Sequence, residues 1–260
     1  MGIYAVTGGS SGIGEQTVKI FRGLGHEAIN IDIRNGDITA DLGTYEGREL
    51  VISELHEHCR DGLDGFVCNH GVMGLPRHKL SYVLAVNYFG AVRLMEGLYD
   101  LLKMKKGRCV ATISGSITHI RRGKYFVDSL LTNCNDEARI GRLVDSFPRE
   151  RGDMMYISSK LALTNWVRRV SASWAANGVN INAVVPGAVA TNITEGFVRS
   201  DLDTYYYPMP RLFGTEDQMD PYDVGQAIVS LVLPEAKGIV GSILYCDAGH
   251  AAVRDPDWPI

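Results

Sequence analysis

No apolar run in the chain approaches the roughly 20 residues that a membrane-spanning helix needs. A basic balance is missing too. Lys and Arg number 26 against 30 Asp and Glu, a formal net charge of -4, which makes no electrostatic case for nucleic acid or an anionic membrane. The five cysteines (Cys59, Cys68, Cys109, Cys134, Cys246) show no Cys-x-x-Cys and no Cys/His spacing suited to zinc, so no metal is expected. Three of them, Cys68, Cys109 and Cys246, lie in apolar runs where cysteine acts as a small hydrophobe, and a reduced, cytoplasmic setting is expected. The start is already strand-like at Ile3–Val6, leaving no room for a signal peptide, and it lacks the Ser or Thr of a myristoylation signal. There is no internal repeat and no dividing linker. With 45% hydrophobic residues, the 260 positions suit one large α/β domain, 1–260.

Short β-like runs alternate with helical stretches. Strands are expected at Ile3–Val6, Ala28–Ile33, Asp37–Ala40, Leu63–Cys68, Cys109–Ile113, Val179–Val185 and Ser242–Cys246. Helices are expected near Gly12–Leu24, Tyr45–Cys59, Val83–Lys105, Met155–Ala176 and Pro221–Leu233. The alternation calls for a doubly wound parallel sheet with helices on both faces, whose ligands bind beyond the carboxyl ends of the strands.

Two segments break the rhythm. Residues 117–153 form a charged, helix-prone insertion, too long for a plain loop. Its Ile140, Leu143, Val144 and Phe147 share one helix face, which fits either a dimer contact or packing on its own domain. Residues 192–220 hold Phe197, Tyr205, Tyr206 and Tyr207, either as loop packing or as an apolar lid over substrate.

The turn Thr7-Gly8-Gly9-Ser10-Ser11-Gly12-Ile13-Gly14 follows a strand and opens a helix. Glycines there let the backbone approach a pyrophosphate, and the helix offers N–H donors with its positive end. The spacing, Gly8-x3-Gly12-x-Gly14, is not G-x-G-x-x-G, and a glycine cluster alone can be steric. Asp32 ends the second strand, where a carboxylate accepts ribose hydroxyls and repels a 2′-phosphate. Arg34, two residues on, argues the other way; NAD is favoured over NADP.

Tyr156 and Lys160 stand four residues apart in YISSK and so share a helix face. An ammonium beside a phenol favours the phenolate and makes Tyr156 a usable acid/base. Ser114 or Ser116 can hold a carbonyl oxygen, or either can be a turn former. Asn87 can hold a water near Lys160, or be merely a mediocre helix former.

On these motifs the chain resembles the short-chain dehydrogenase/reductase family over nearly its full length. Thr7–Gly14 resembles the family's TGxxxGxG, and Cys68-Asn69-His70-Gly71 its NNAG, with His70 where alanine is usual. Asn87, a serine after the fifth strand, Tyr156 and Lys160 resemble its catalytic tetrad, Ser114 being slightly preferred to Ser116. Pro186-Gly187, with Val189 and Thr191, resembles the segment at the nicotinamide carboxamide, and Asp41-Leu42 the pair beside the adenine. His70 either packs against the adenosine or alters cofactor fit. The stretch Ile31–Arg48, the NYFGA at Asn87–Ala91 and the insertion are similar to the bacterial hydroxysteroid dehydrogenase/carbonyl reductase subgroup, whose insertion is associated with dimerisation.

The resemblance implies a Rossmann-type, seven-stranded parallel sheet and NAD-dependent interconversion of a secondary alcohol and a ketone. The substrate is expected to be a small hydrophobic molecule, such as a hydroxysteroid, contacted by Ser116 and Phe197, and the assembly a homodimer. An epimerase or dehydratase using NAD transiently, or a non-catalytic dinucleotide-binding regulator, is the alternative reading.

Overall fold

The first strand, β1 (Ile3–Thr7), is apolar and buried along almost its whole length, as a central strand of a parallel sheet covered on both faces must be. A computed structural model of the chain describes residues 1–119, 126–191 and 218–254. After β1 come α1 (Gly12–Gly23), β2 (Glu27–Asp32), the two-residue β3 (Ile38–Thr39), α2 (Tyr45–His58) and β4 (Gly65–Cys68). Next are α3 (Leu80–Leu84), α4 (Ala91–Gly97), α5 (Tyr99–Lys105) and β5 (Arg108–Thr112). The insertion supplies α6 (Phe126–Asn133) and α7 (Glu137–Val144). Then follow α8 (Gly152–Ala175), β6 (Asn180–Pro186), α9 (Pro221–Val232), β7 (Ile243–Cys246) and α10 (His250–Arg254).

All seven expected strands form. They make one parallel sheet in the order β3-β2-β1-β4-β5-β6-β7. Strand order reverses between β1 and β4, so the ligand crevice of a doubly wound sheet falls at the carboxyl ends of those two strands. Thr7 and Cys68 are partners at that point. Helices α1 and α9 cover one face, with Phe21 and Ile228 in its core; α2, α4, α5 and α8 cover the other, around Leu55, Leu94, Leu102 and Leu163. No helix among the described residues is long and apolar enough to cross a membrane.

The expected helix Val83–Lys105 is not continuous. A π-helical turn, Ala85–Gly90, separates α3 from α4, and Leu98 (φ -100°, ψ 0°) separates α4 from α5. The apolar pattern runs through both breaks, because Leu84, Leu94, Leu98 and Leu102 all remain in the core.

The insertion packs on its own domain. Ile140 and Val144 are buried, Phe147 rests against the same core, and only Leu143 is substantially exposed. Helix α6 lies against α8, Arg169 Nη1 donating to Thr132 O (3.0 Å), and is tied to the π-turn by Tyr88 Oη, which donates to Leu131 O (3.0 Å). The apolar face read as a possible dimer contact is therefore used within the chain. Most of the expected lid, including Phe197, lies outside the described residues.

Candidate active site

The turn after β1 is closed by geometry that needs glycine. Gly8 (φ 68°) and Gly12 (φ 53°) adopt left-handed backbone. A Cβ on Gly14 would stand 2.0 Å from Gly8 O, so the turn folds back onto its own backbone. Ser11 precedes α1 in extended conformation and makes no side-chain cap bond. The first N–H groups of this 12-residue helix are thus not taken by a side-chain cap, and they sit at its positive end. Thr191 reaches the same turn from across the crevice, its Cγ2 lying 2.8 Å from where a Cβ on Gly12 would be. A glycine cradle beside an uncapped helix start fits the pyrophosphate of a dinucleotide.

The carboxylate of Asp32 is fixed at the end of β2. Oδ2 accepts from Ser10 N (3.0 Å) and Oδ1 from Arg34 N (3.3 Å), while the Arg34 side chain is exposed. Two residues that sequence reasoning missed complete this corner. Asn30 Nδ2 donates to Ser10 Oγ (3.0 Å), and Ser10 Oγ donates to Asn35 O (3.1 Å). The one available signal was Asn35 itself, an asparagine in left-handed backbone (φ 57°), which that side chain tolerates. Further along the rim, Asp41 Oδ1 accepts from Gly43 N (2.8 Å) and from Tyr82 Oη (3.1 Å); Leu42 is buried.

Thr7 stitches the glycine turn to the loop after β4. Its Oγ1 accepts from Asn69 N (3.0 Å) and His70 N (3.2 Å). His70 lies with Nε2 3.1 Å from Val86 O and Nδ1 2.7 Å from Thr7 Oγ1. A carbonyl can only accept, so Nε2 carries the proton, and Nδ1 at 2.7 Å takes the single Thr7 hydroxyl proton in preference to Val67 O at 3.3 Å. Burial, aided by the nearby Lys160 charge, lowers the imidazole pKa to about 3 and keeps the ring neutral. Both nitrogens of His70, expected either to pack against the adenosine or to alter cofactor fit, are thus bound inside the chain.

Helix α8 carries Tyr156, half-buried against the core, and Lys160, buried. Lys160 Nζ donates to Thr112 O (2.9 Å) at the end of β5. Burial lowers its pKa to about 8. A Cβ on Gly71 would lie 3.3 Å from Asn87 Oδ1 and 3.4 Å from Lys160 Nζ, so three predicted residues converge. The Asn87 side chain, expected either to hold a water or to be merely a mediocre helix former, is tied to the loop after β4. Its Oδ1 accepts from Val72 N (2.8 Å) and its Nδ2 donates to Val72 O (2.9 Å), clasping the loop.

After β5, Ser114 Oγ accepts from Ser116 N (3.2 Å) and Ser116 Oγ (3.0 Å). The Ser114 proton is therefore directed away from Ser116, whereas Ser116, expected to touch substrate, spends its own proton on Ser114. At the end of β6, a Cβ on Gly187 would stand 2.9 Å from Asp247 Cα, which excludes any larger residue after Pro186. Val189 is buried and pairs with Met219 in an isolated parallel bridge.

Comparison with known proteins bears on the family and the fold. A family model described as "Enoyl-(Acyl carrier protein) reductase" matches residues 146–251. A 3-alpha-hydroxysteroid dehydrogenase/carbonyl reductase of Comamonas testosteroni is 31% identical, over 98% of this chain and 99% of its own. The crystal structure of a 3-alpha-hydroxysteroid dehydrogenase from Pseudomonas sp. B-0831, complexed with NADH, is 32% identical with a TM-score of 0.88, covering 98% of this chain and 99% of that one. A 3-ketoacyl-(acyl-carrier-protein) reductase from Brucella melitensis, 19% identical with a TM-score of 0.72 over 96% of this chain and 98% of its own, shares the fold. Matched along nearly its whole length by a relative of this identity, the chain belongs to the short-chain dehydrogenase/reductase family of oxidoreductases.

Proposed function

We propose that the chain is an NAD(H)-dependent oxidoreductase interconverting a secondary alcohol and a ketone on a hydrophobic cyclic substrate such as a hydroxysteroid. The observation that carries the reading is the buried Lys160 on the helix of Tyr156, beside Gly71 and Asn87, at the strand ends where the glycine turn also opens. The residues of that crevice fit a nicotinamide dinucleotide. The turn Gly8–Gly14 and the start of α1 would hold its pyrophosphate, Asp32 a ribose, Asp41 and Leu42 the adenine rim, and Gly187 to Thr191 the carboxamide end. When bound, the dinucleotide supplies the hydride acceptor or donor.

The chain's own part is the proton. Tyr156 takes it from the alcohol or returns it to the carbonyl oxygen, and the Lys160 ammonium favours the phenolate. Ser114 directs its free proton at the same oxygen, with Ser116 holding it from behind. The fixed charge of Asp32 opposes a 2′-phosphate and supports NAD; the NADH in the Pseudomonas relative supports it too. A hydroxysteroid-like substrate is supported by the names of the two relatives near 30% identity.

The reading extends to a cytoplasmic homodimer. Helix α6 covers the outer side of α8, so a partner would use another face, and light scattering over a range of concentrations tests the size. For activity, the assay is NADH formation from a panel of cyclic secondary alcohols. Tyr156→Phe should lose about 10²- to 10⁴-fold in kcat with NADH binding intact. Near-normal turnover in that variant would sink the assignment.

A further inference from the structure

The π-turn Ala85–Gly90 departs from α geometry beside the site. Widening a helix by a residue displaces the regular N–H donors of its carbonyls. Two successive carbonyls of this turn take donors from side chains elsewhere in the fold. Ala85 O accepts from Arg48 Nη2 (2.9 Å), and Val86 O accepts from His70 Nε2 (3.1 Å). The next residue is Asn87, whose carboxamide clasps Val72 and so holds the loop of Gly71 against Lys160.

We infer that His70 and Arg48 are positioning residues that hold the π-turn open from two sides, and through it fix Asn87 and Gly71 beside Lys160. The inference rests on the reading of Tyr156 and Lys160 as the proton-transfer pair. His70 suits the task because a neutral imidazole is a rigid, two-ended link, donating to Val86 while accepting from Thr7. It joins the glycine turn of β1 to the turn that carries Asn87. Arg48, buried on α2, uses its fork similarly: Nε donates to Leu42 O (2.8 Å), and Nη2 reaches Ala85 O. Glu137 of the insertion grips the outer edge of the guanidinium, at 2.7 and 2.8 Å, so α7 sets the direction of the donor that reaches the π-turn. On this account the insertion shapes the site.

The bland alternative is that these bonds merely satisfy buried carbonyls, and three His70 variants separate the two. Gln can place an amide N–H near the position of Nε2 and keep the Val86 bond; Asn can keep only the Thr7 side; Ala keeps neither. His70→Ala should lower kcat by up to about 100-fold while the Kd for NADH stays within about 2-fold, since a small misplacement costs turnover before affinity. His70→Gln should recover most of that loss and His70→Asn should not. Wild-type kcat in the Ala variant, equal rescue by Asn, or an NADH affinity that falls in step with kcat would each overturn the proposal.

Two further readouts do not depend on turnover. Nitrogen-15 NMR of the cofactor-free protein should show His70 as the neutral Nε2–H tautomer from pH 5 to 9, and the Nδ1–H tautomer would refute the Val86 bond. Deuterium exchange of residues 85–91 should speed up in His70→Ala, and unchanged exchange would refute the brace. If the wild type oxidises none of the alcohols tried, the assigned activity fails while these two measurements still decide the brace.

Discussion

Lys160 should make the protein less stable at neutral pH than a version without it. Its ammonium is buried, donating to Thr112 O, and burial lowers its pKa from an ordinary 10.5 to about 8. Carried through proton linkage, that depression corresponds to about 3 kcal/mol held against the folded state. The sign follows from the proton count. The folded pKa lies below the unfolded one, so the unfolded chain binds the proton more tightly. The penalty is full below pH 8 and fades as the pH rises towards the unfolded value. In Lys160→Met the thioether chain fills the same space, and the lost hydrogen bond to Thr112 offsets about 1 kcal/mol of the gain. The cofactor-free variant should therefore be more stable than wild type by about 2 kcal/mol at pH 7, with the advantage almost gone by pH 10. Urea unfolding followed by tryptophan fluorescence at both pH values measures it. A variant less stable at pH 7, or an advantage independent of pH, would refute the reasoning. The proposed chemistry gives the reason for such a cost, because a protonated amine is needed where water is not.

The two serines should separate. Ser114→Ala should lose about 10²- to 10³-fold in kcat, as for a donor to a reacting oxygen, whereas Ser116→Ala, which leaves the Ser116 N–H bond in place, should lose about 10-fold. Equal losses would refute that order. Asp32→Ala should narrow the preference for NADH over NADPH in fluorescence titrations, mainly by weakening NADH; a wild type that prefers NADPH would show that Arg34 wins. On α7, Ile140→Ala should cost about 2 to 5 kcal/mol of stability and Leu143→Ala no more than about 0.5, and the reverse order would mean that the other face is turned inward.

The fold was legible because parallel strands buried on both faces must be apolar throughout. The inner runs, from Ile3–Val6 to Val179–Val185, therefore stand out between helical stretches, while the edge strands β3 and β7 are only partly buried and carry a weaker signal. The candidate site was legible where the proposed chemistry needs a residue type at a local spacing. Gly8 and Gly12 are required by left-handed backbone, and Tyr156 and Lys160 are one helical turn apart. The dimer reading of Ile140 and Val144 fared less well for a physical reason. An apolar helix face announces that something covers it but not what, and here the cover is the chain's own core.

The contacts that hold the site in shape were hidden because their partners are backbone atoms or distant in sequence. Asn87 could be chosen as a site residue by type, yet its partners are the N–H and C=O of Val72, which no side-chain pattern reports. Arg48 and Glu137 meet across 89 positions, and neither charge stands out among its neighbours. His70 stood out only as a departure, and a departure reads most readily as altered ligand contact. Its ring instead points to Thr7 and Val86, on two elements whose approach is set by the sheet. The π-turn was invisible for a related reason. It keeps Leu84 and Leu94 in the core on either side, so the hydrophobic period runs through it, while the backbone between them is held by donors the period cannot reveal. Spacing thus picks out the groups proposed to perform the chemistry, whereas the contacts proposed to aim them are specified by tertiary structure.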